Sequence, residues 1–255
     1  MSFDVSADAY GRFMGRFSVP LAVPFVEQAE LRPGQRALDV GCGPGALTAQ
    51  LVDRLGAGSV SAVDPSPSFV AAARDRFPGA DVQAAAAEQL PYPDGTFDVA
   101  LAQLVVHFMA DPVAGLREMG RVTRPGGRVL ACVWDHSGAG GGPLAVFWQA
   151  VHDIDPEEPG EADLPGSREG HLAELCAAAG LTDVEPSSLT IRVTFGTVDD
   201  WWEPFTLGVG PAGTYVAALD DEGRERLRSR CAALLPAAPF EVAASAWSVR
   251  AAPGR

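Results

Sequence analysis

The chain has 255 residues, 47% of them apolar and 20% charged, enough for one large α/β domain or one domain with a modest subdomain. A formal net charge of −14 argues against a phosphate-binding surface for DNA or RNA. All 19 basic residues are arginine, and the absence of lysine excludes a pyridoxal-phosphate Schiff base and a phosphate loop ending in Gly-Lys-Ser/Thr.

In chain order, Val19 to Leu31 predicts a helix that ends before Pro33–Gly34. "RALDVG" reads as a strand, "GALTAQLVDRL" as a helix closed by Gly56, and "SVSAVD" as a second strand. "SPSFVAAARDRF" is a helix stopped at Pro78–Gly79, followed by strands "ADVQAA" and "TFDVALAQ". "DPVAGLREMGRVT" is a helix with Asp111 as N-cap and Pro112 at its first position, and "GGRVLACVW" is a fifth strand. Such alternation implies right-handed βαβ units and a parallel sheet covered on both faces.

After Trp134 the pattern loosens. "SGAGGGP", Ser137 to Pro143, reads as a hinge, and "LAVFWQAVHDI" as a helix. "DIDPEEPGEAD" carries six acids in eleven residues without a base and is expected to be a solvated loop. A helix over Ser167 to Ala179, a strand "LTIRVTF", a helix start in "TVDDWWEPF", an exposed helix "DDEGRERLRSRCAALL" and a last strand "FEVAASAWSVRA" complete the reading.

Cys42, Cys132, Cys176 and Cys231 are too widely spaced for a zinc or iron–sulfur motif and are expected as buried reduced thiols. The N-terminal residues lack a basic segment followed by an apolar run, and the longest apolar run, Val99 to Ala110, is too short to span a bilayer. A cytoplasmic location is expected, and the Ala-, Gly- and Arg-rich composition without Asn fits GC-rich bacterial coding.

The stretch "ALDVGCGPGALTAQL" breaks from strand to helix at Gly41, Gly43 and Gly45, where a ligand can approach the backbone closely. In open parallel α/β sheets ligands sit at the carboxyl ends of the strands, and Asp64 ends the second strand, placed to accept from ribose hydroxyls. A dinucleotide satisfies those two features as well as any other ribose-bearing ligand. Three details separate the readings. Gly41, Gly43 and Ala46 fit the dinucleotide fingerprint only in its relaxed form. Asp39 precedes the loop, where it would repel a pyrophosphate and suit an amine or sulfonium. Finally "AAEQLPYPDGTFDVALAQ" leads into the fourth strand.

"LDVGCGPG", "AVDPS", "AEQLPYPDGTFD" and "RVTRPGGRVLACVWD" resemble, in order and spacing, the motifs of class I S-adenosylmethionine-dependent methyltransferases, in the small-molecule branch near the ubiquinone/menaquinone C-methyltransferases. The likeness covers roughly Tyr10 to Asp135. It implies a Rossmann-like, doubly wound, mostly parallel seven-stranded α/β sheet of order 3-2-1-4-5-7-6 with a helical cap insertion. Residues 1–35 would be a helical lid, 36–135 the cofactor-binding core, and 136–255 the rest of the sheet with a variable substrate cap.

The resemblance also implies roles. The backbone of Gly41, Cys42 and Gly43 would lie against the methionine and ribose portions, and Asp39 would orient the amino end. Asp64 would bind the ribose hydroxyls, with Pro65 and Ser66 packing near the adenine. The turn at Ala87, Glu88 and Gln89 would close on that ring, and Gln103 would sit beneath the methionine chain. One departure stands out: Ala86 replaces the acid that often reads the adenine amino group. Tyr10, Met14 and Arg16 resemble the lid, with Arg16 facing the cofactor carboxylate, although Phe13, Met14 and Phe17 also suit plain packing on the sheet.

Methyl transfer is an in-line displacement, and a base is needed only where the acceptor must lose a proton. His107, after the fourth strand, is either that base or a satisfied histidine lining the pocket floor. His136 is expected at the surface, and His152 and His171 receive no role. Phe147, Trp148, Trp201, Trp202 and Phe205 line an acceptor pocket or form the core of the cap. The expected product is S-adenosylhomocysteine, and the expected partner is a small apolar acceptor bound by a monomer or homodimer, with no nucleic acid, membrane or metal. The alternatives are an NAD-binding oxidoreductase, weakened by Asp39 and the missing lysine, and a cofactor-binding protein that transfers no methyl group.

Overall fold

The computed structural model describes residues 7–137 and 141–254. The hinge expected over Ser137 to Pro143 includes 138–140, which lie outside the described residues.

Two helices, α1 (Ala7–Arg12) and α2 (Gly15–Glu27), precede β1 (Ala37–Val40). The chain then runs through α3 (Ala46–Leu55), β2 (Val60–Asp64), α4 (Pro67–Arg76), β3 (Asp81–Ala84), β4 (Phe97–Gln103), α5 (Pro112–Val122) and β5 (Thr123–Trp134). The remaining third contributes α6 (Ala145–Ile154), α7 (His171–Ala178), β6 (Thr182–Phe195), α8 (Val198–Trp202), α9 (Gly210–Ala218), α10 (Asp221–Leu234) and β7 (Phe240–Ala252). All seven strands form one sheet in the expected order, β3-β2-β1-β4-β5-β7-β6. The first five strands are parallel, and β7 inserts antiparallel between β5 and β6.

Burial explains the strand sequences. Every residue of β1 and β2 is buried, so each strand packs apolar side chains on both faces. Phe17, Leu21 and Phe25 of α2 and Leu47 and Leu51 of α3 cover one face. Leu116 and Met119 of α5 and Leu172 and Cys176 of α7 cover the other. All four cysteines are free and buried. Strand order reverses between β1 and β4, where Asp39 pairs with Leu101, and the loops beyond that point form the site.

Strand β6 begins at Thr182 rather than Leu189, and three helices also differ from the sequence reading. Helix α2 begins at Gly15 rather than Val19 and contains Pro20 and Pro24. Each interior proline costs about 3 kcal/mol. Full burial of Phe17, Leu21, Phe25 and Val26, at roughly 1.5–3 kcal/mol each, offsets that cost. Helix α7 begins at His171 rather than Ser167, because the Ser167 hydroxyl donates to the carbonyls of Ala162 and Leu164 and holds a turn there. Helix α9 was hidden by its glycines; a Cβ on Gly213 would lie 2.6 Å from the Gly208 carbonyl carbon, so that close crossing requires glycine. Among the described residues no helix is long and apolar enough to cross a membrane.

Candidate active site

The loop after β1 is shaped by its glycines. Gly41 (φ 71°), Gly43 (φ 53°) and Gly45 (φ 90°) all occupy the left-handed region. The N–H groups of Gly41 and Cys42 both donate to the Val63 carbonyl, at 2.8 and 2.9 Å, which folds the loop back over β2. A Cβ on Gly41 would fall 2.3 Å from Val105, and one on Gly45 equally close to Phe77. Gly43 differs: nothing lies within 4 Å of where its Cβ would point. Its N–H donates to Asp64 Oδ2 at 2.9 Å, while Asp64 Oδ1 accepts from the Ser66 N–H at 2.8 Å. Burial raises the Asp64 carboxyl above its ordinary range, and these two amides pull it back.

Asp39 lies deeper. Its Oδ2 accepts from the Thr48 hydroxyl at 2.6 Å, and its Oδ1 is buried without a partner. Burial pushes this carboxyl up to about 7, against the Thr48 bond and with help from the Asp64 charge. Gln103, at the end of β4, donates from Nε2 to the Ser18 carbonyl at 2.8 Å and leaves Oε1 buried and unpaired. Two orphaned acceptors and an open glycine therefore mark the switch point, an arrangement that fits a ligand bringing hydrogen-bond donors.

Beyond β4 the chain bends through Leu104, whose φ of 61° is unusual for a branched side chain and costs about 1–2 kcal/mol. Its N–H donates to the Cys132 carbonyl at 2.8 Å, which fixes the bend. This turns His107 into a small cavity of about 40 Å³ shared with Tyr10, Met14, Trp134, His136 and Glu161. His107 is 6% exposed and its Nδ1 has no partner. Burial, then the neighbouring His136, holds His107 well below the ordinary imidazole range. The two rings lie 6.1 Å apart. Burial likewise lowers His136 to about 4, against the pull of Asp135, so both imidazoles are neutral at pH 7.

His136 is thus half-buried at the cavity rather than at the surface as expected. The acidic loop is also corrected: Asp153, Asp155, Glu157 and Asp163 are exposed, but Glu161 is 5% exposed and accepts from Trp148 Nε1 at 2.7 Å. Burial raises its carboxyl to about 7, opposed by that bond. Of the five aromatics weighed for the pocket, Phe147, Trp201, Trp202 and Phe205 are buried in the main core, in one cluster with α2, α3 and β5. The Phe147 and Phe205 rings stack at 4.6 Å, and Trp201 packs on Phe205 at 4.7 Å. Of the five, Trp148 lines one of the two cavities described, and its indole holds Glu161. The inner wall is built instead by Phe13, Phe108, Trp134, Leu144 and Val209.

The N-terminal segment lies over this region. The Tyr10 ring meets Phe69 edge-on at 5.5 Å, and its hydroxyl is pushed up to about 12 by burial and by the Asp64 charge. Met14 lines the cavity beside it. Arg16 is corrected: its guanidinium forms two bonds with the Asp200 carboxylate, at 2.8 and 3.1 Å, and lies 4.3 Å above Phe195. Asp200 supplies the carboxylate that the cofactor was expected to present. Ala87 is buried, Glu88 Oε1 accepts from the Asp111 N–H at 3.2 Å, and Pro65 is exposed in the turn after β2.

Residues 38–131 match the model of the methyltransferase domain family. The chain is 31% identical over 178 residues to the malonyl-[acyl-carrier protein] O-methyltransferase of Serratia marcescens, covering 68% of this chain and 66% of that protein. It is 37% identical over 119 residues to the ubiquinone/menaquinone biosynthesis C-methyltransferase of Burkholderia orbicola, covering 43% of this chain and 49% of that one. In fold it is similar to phosphoethanolamine N-methyltransferase 2 of Haemonchus contortus solved with S-adenosyl-L-methionine. That alignment has a TM-score of 0.58 at 17% identity and covers all of this chain and 60% of that one. The sheet order, the glycine loop and these matches agree: the chain belongs to the class I S-adenosylmethionine-dependent methyltransferases.

Proposed function

We propose that the protein transfers a methyl group from S-adenosylmethionine to a small apolar acceptor bound between His107 and the cap. The observation that carries this reading is Tyr10, which lines the His107 cavity and feels the charge of Asp64, so that it joins the Gly43–Asp64 cradle to that cavity. The cofactor supplies the electrophilic methyl group and a neutral thioether leaving group. This chain's residues hold and orient. Asp64 accepts from ribose hydroxyls, the open backbone face of Gly43 admits the nucleoside, and Asp39 Oδ1 and Gln103 Oε1 accept from the amino end. Tyr10 and Met14 cover the bound pair and exclude water.

His107 is a hydrogen-bond acceptor for the nucleophile. Its low pKa keeps it neutral but makes it a weak base, so it takes a proton only as the nucleophile loses its own. The inner cavity of about 40 Å³ holds a water or two, so an acceptor needs α1 or the Val209–Ala212 wall to move outward. Calorimetric titration tests the donor half: S-adenosylhomocysteine is expected to bind, and NADH is not. Tight NADH binding with no response to S-adenosylhomocysteine would remove the proposal. Incubating the protein with methyl-labelled cofactor and a metabolite extract tests transfer, since label that stays on the cofactor marks a protein that binds without methylating.

A further inference from the structure

A second cavity, of about 270 Å³, shares part of its wall with the first and is lined by Asp135, Trp148, His152, Asp153 and Ala162. His136 and Glu161 line both cavities, so an acceptor long enough to fill the two passes between these side chains. Glu161 is a built feature of that passage. It is buried, its Oε2 is fixed by the Trp148 indole, and among the described residues this is the only hydrogen bond its carboxylate makes. The second oxygen therefore has its acceptor capacity left for a ligand.

The charges around the passage are one-sided. His136 is neutral, Asp135 and Glu161 are acids, and the third acid, Asp153, is held by Arg230 at 2.7 Å. Glu161 is bonded to the Trp148 indole and shares both cavity walls with His136, and neither of these carries charge at pH 8. The rest of the first cavity's wall is apolar apart from Tyr10 and the neutral His107. A carboxylate or phosphate on the acceptor would be desolvated here against a like charge, which costs several kcal/mol in general. A hydroxyl or ammonium would instead donate to Glu161.

From this we infer that Glu161 selects the acceptor: an apolar molecule whose polar end donates a hydrogen bond, with anionic analogues rejected. The inference rests on the methyl-transfer reading for what the cavity is for, and its test is separable from that reading.

The test uses three probes with one apolar body, 4-phenylbutanol, 4-phenylbutylamine and 4-phenylbutyrate, titrated at pH 8 into protein saturated with S-adenosylhomocysteine and followed by tryptophan fluorescence. The alcohol or the amine is expected to bind at least about tenfold more tightly than the carboxylate. A preference for the amine identifies an ammonium acceptor, and equal binding of both identifies a neutral donor. Glu161→Gln keeps an oxygen for Trp148 Nε1, so it is expected to fold, to bind S-adenosylhomocysteine as the parent does, and to lose the discrimination to within about threefold. Equal binding of alcohol and carboxylate by the parent, discrimination that survives in Glu161→Gln, or no binding of any probe overturns the inference. Failure to bind S-adenosylhomocysteine at all sinks the methyltransferase reading instead.

Discussion

The main-chain N–H of Gly43 donates to the Asp64 carboxylate at 2.9 Å, tying the loop after β1 to the end of β2 across the switch point of the sheet. One oxygen is thus spent on the loop and the other on Ser66, so both keep one lone pair for a ligand. Asp64→Asn retains only one of these amide contacts, because its NH₂ group faces a donor. Hydrogen bonds to a charged group contribute about 1.5–3 kcal/mol each, so the affinity for S-adenosylhomocysteine is expected to fall about 10–100-fold. Calorimetry on the two proteins checks it; affinity within about twofold of the parent would show that Asp64 only shapes the loop.

The three loop glycines separate stability from binding. Alanine at Gly41 or Gly45 meets a side chain at 2.3 Å in addition to a positive φ, so each change is expected to cost about 2–5 kcal/mol, the sum of left-handed strain and overpacking. Alanine at Gly43 meets nothing within 4 Å and carries only the strain, about 1–2 kcal/mol. On the proposed reading its methyl group projects into the cofactor's path, so Gly43→Ala is expected to remain folded and lose cofactor affinity. Urea denaturation alongside S-adenosylhomocysteine titration distinguishes the two patterns.

The cradle was legible in the sequence because its chemistry is local: glycines at a strand end, an acid closing the next strand, and alternation that fixes which ends meet. Gly41, Gly43, Asp39 and Asp64 stand where that argument puts them. The acceptor side was not legible, because its partners are distant and its composition misleads. Glu161 sits in a run of acids that looks solvated, and the Trp148 indole on the preceding helix holds it inward. Arg16 looked like a free cation beside the site, but Asp200, 184 residues later in the chain, claims it. The aromatics of the last third are apolar enough for either a pocket or a core, and ring-on-ring packing around Phe205 decides for core in all but Trp148.

Asp39 ties stability and binding to pH. Its carboxyl has a folded-state pKa of about 7, raised by burial from an ordinary value near 3.8, so the folded chain binds a proton more readily than the unfolded one. Stability is therefore highest below the unfolded value, falls as pH rises from about 4 to 7, and is level above that. Three pKa units set an upper bound of about 4 kcal/mol on this loss. Asp39→Asn removes the titration and can keep the Thr48 bond, so the variant is expected to be more stable than the parent at pH 8 and about equal at pH 4. Binding runs the opposite way. An amino group at Asp39 favours the carboxylate, so parent affinity for S-adenosylhomocysteine should rise between pH 6 and 8 while the variant's stays flat. Melts and titrations at both pH values check the pair, and a parallel slope in the variant would assign the effect to another group.

His107 is expected to act through a neutral ring. Its imidazole is buried and held well below its usual range, so the ring is neutral at pH 7 and above and contributes no acid limb near the ordinary imidazole pKa. His107→Ala is expected to lower turnover by about 100-fold or more if the acceptor must lose a proton. The Michaelis constant for cofactor should stay close to the parent's, because the ring lines the acceptor cavity. His107→Gln separates two roles, since its amide oxygen can orient an acceptor hydroxyl but cannot take the proton. Recovery of most of the turnover by Gln would make His107 a positioning residue, whereas loss equal to that of Ala would make it the base. Once label transfer has identified an acceptor, steady-state rates of the three proteins across pH 6 to 9 decide between them. An acid limb near the ordinary imidazole pKa in the parent alone would show that the ring titrates in the working complex, against the neutral form argued from its burial beside His136.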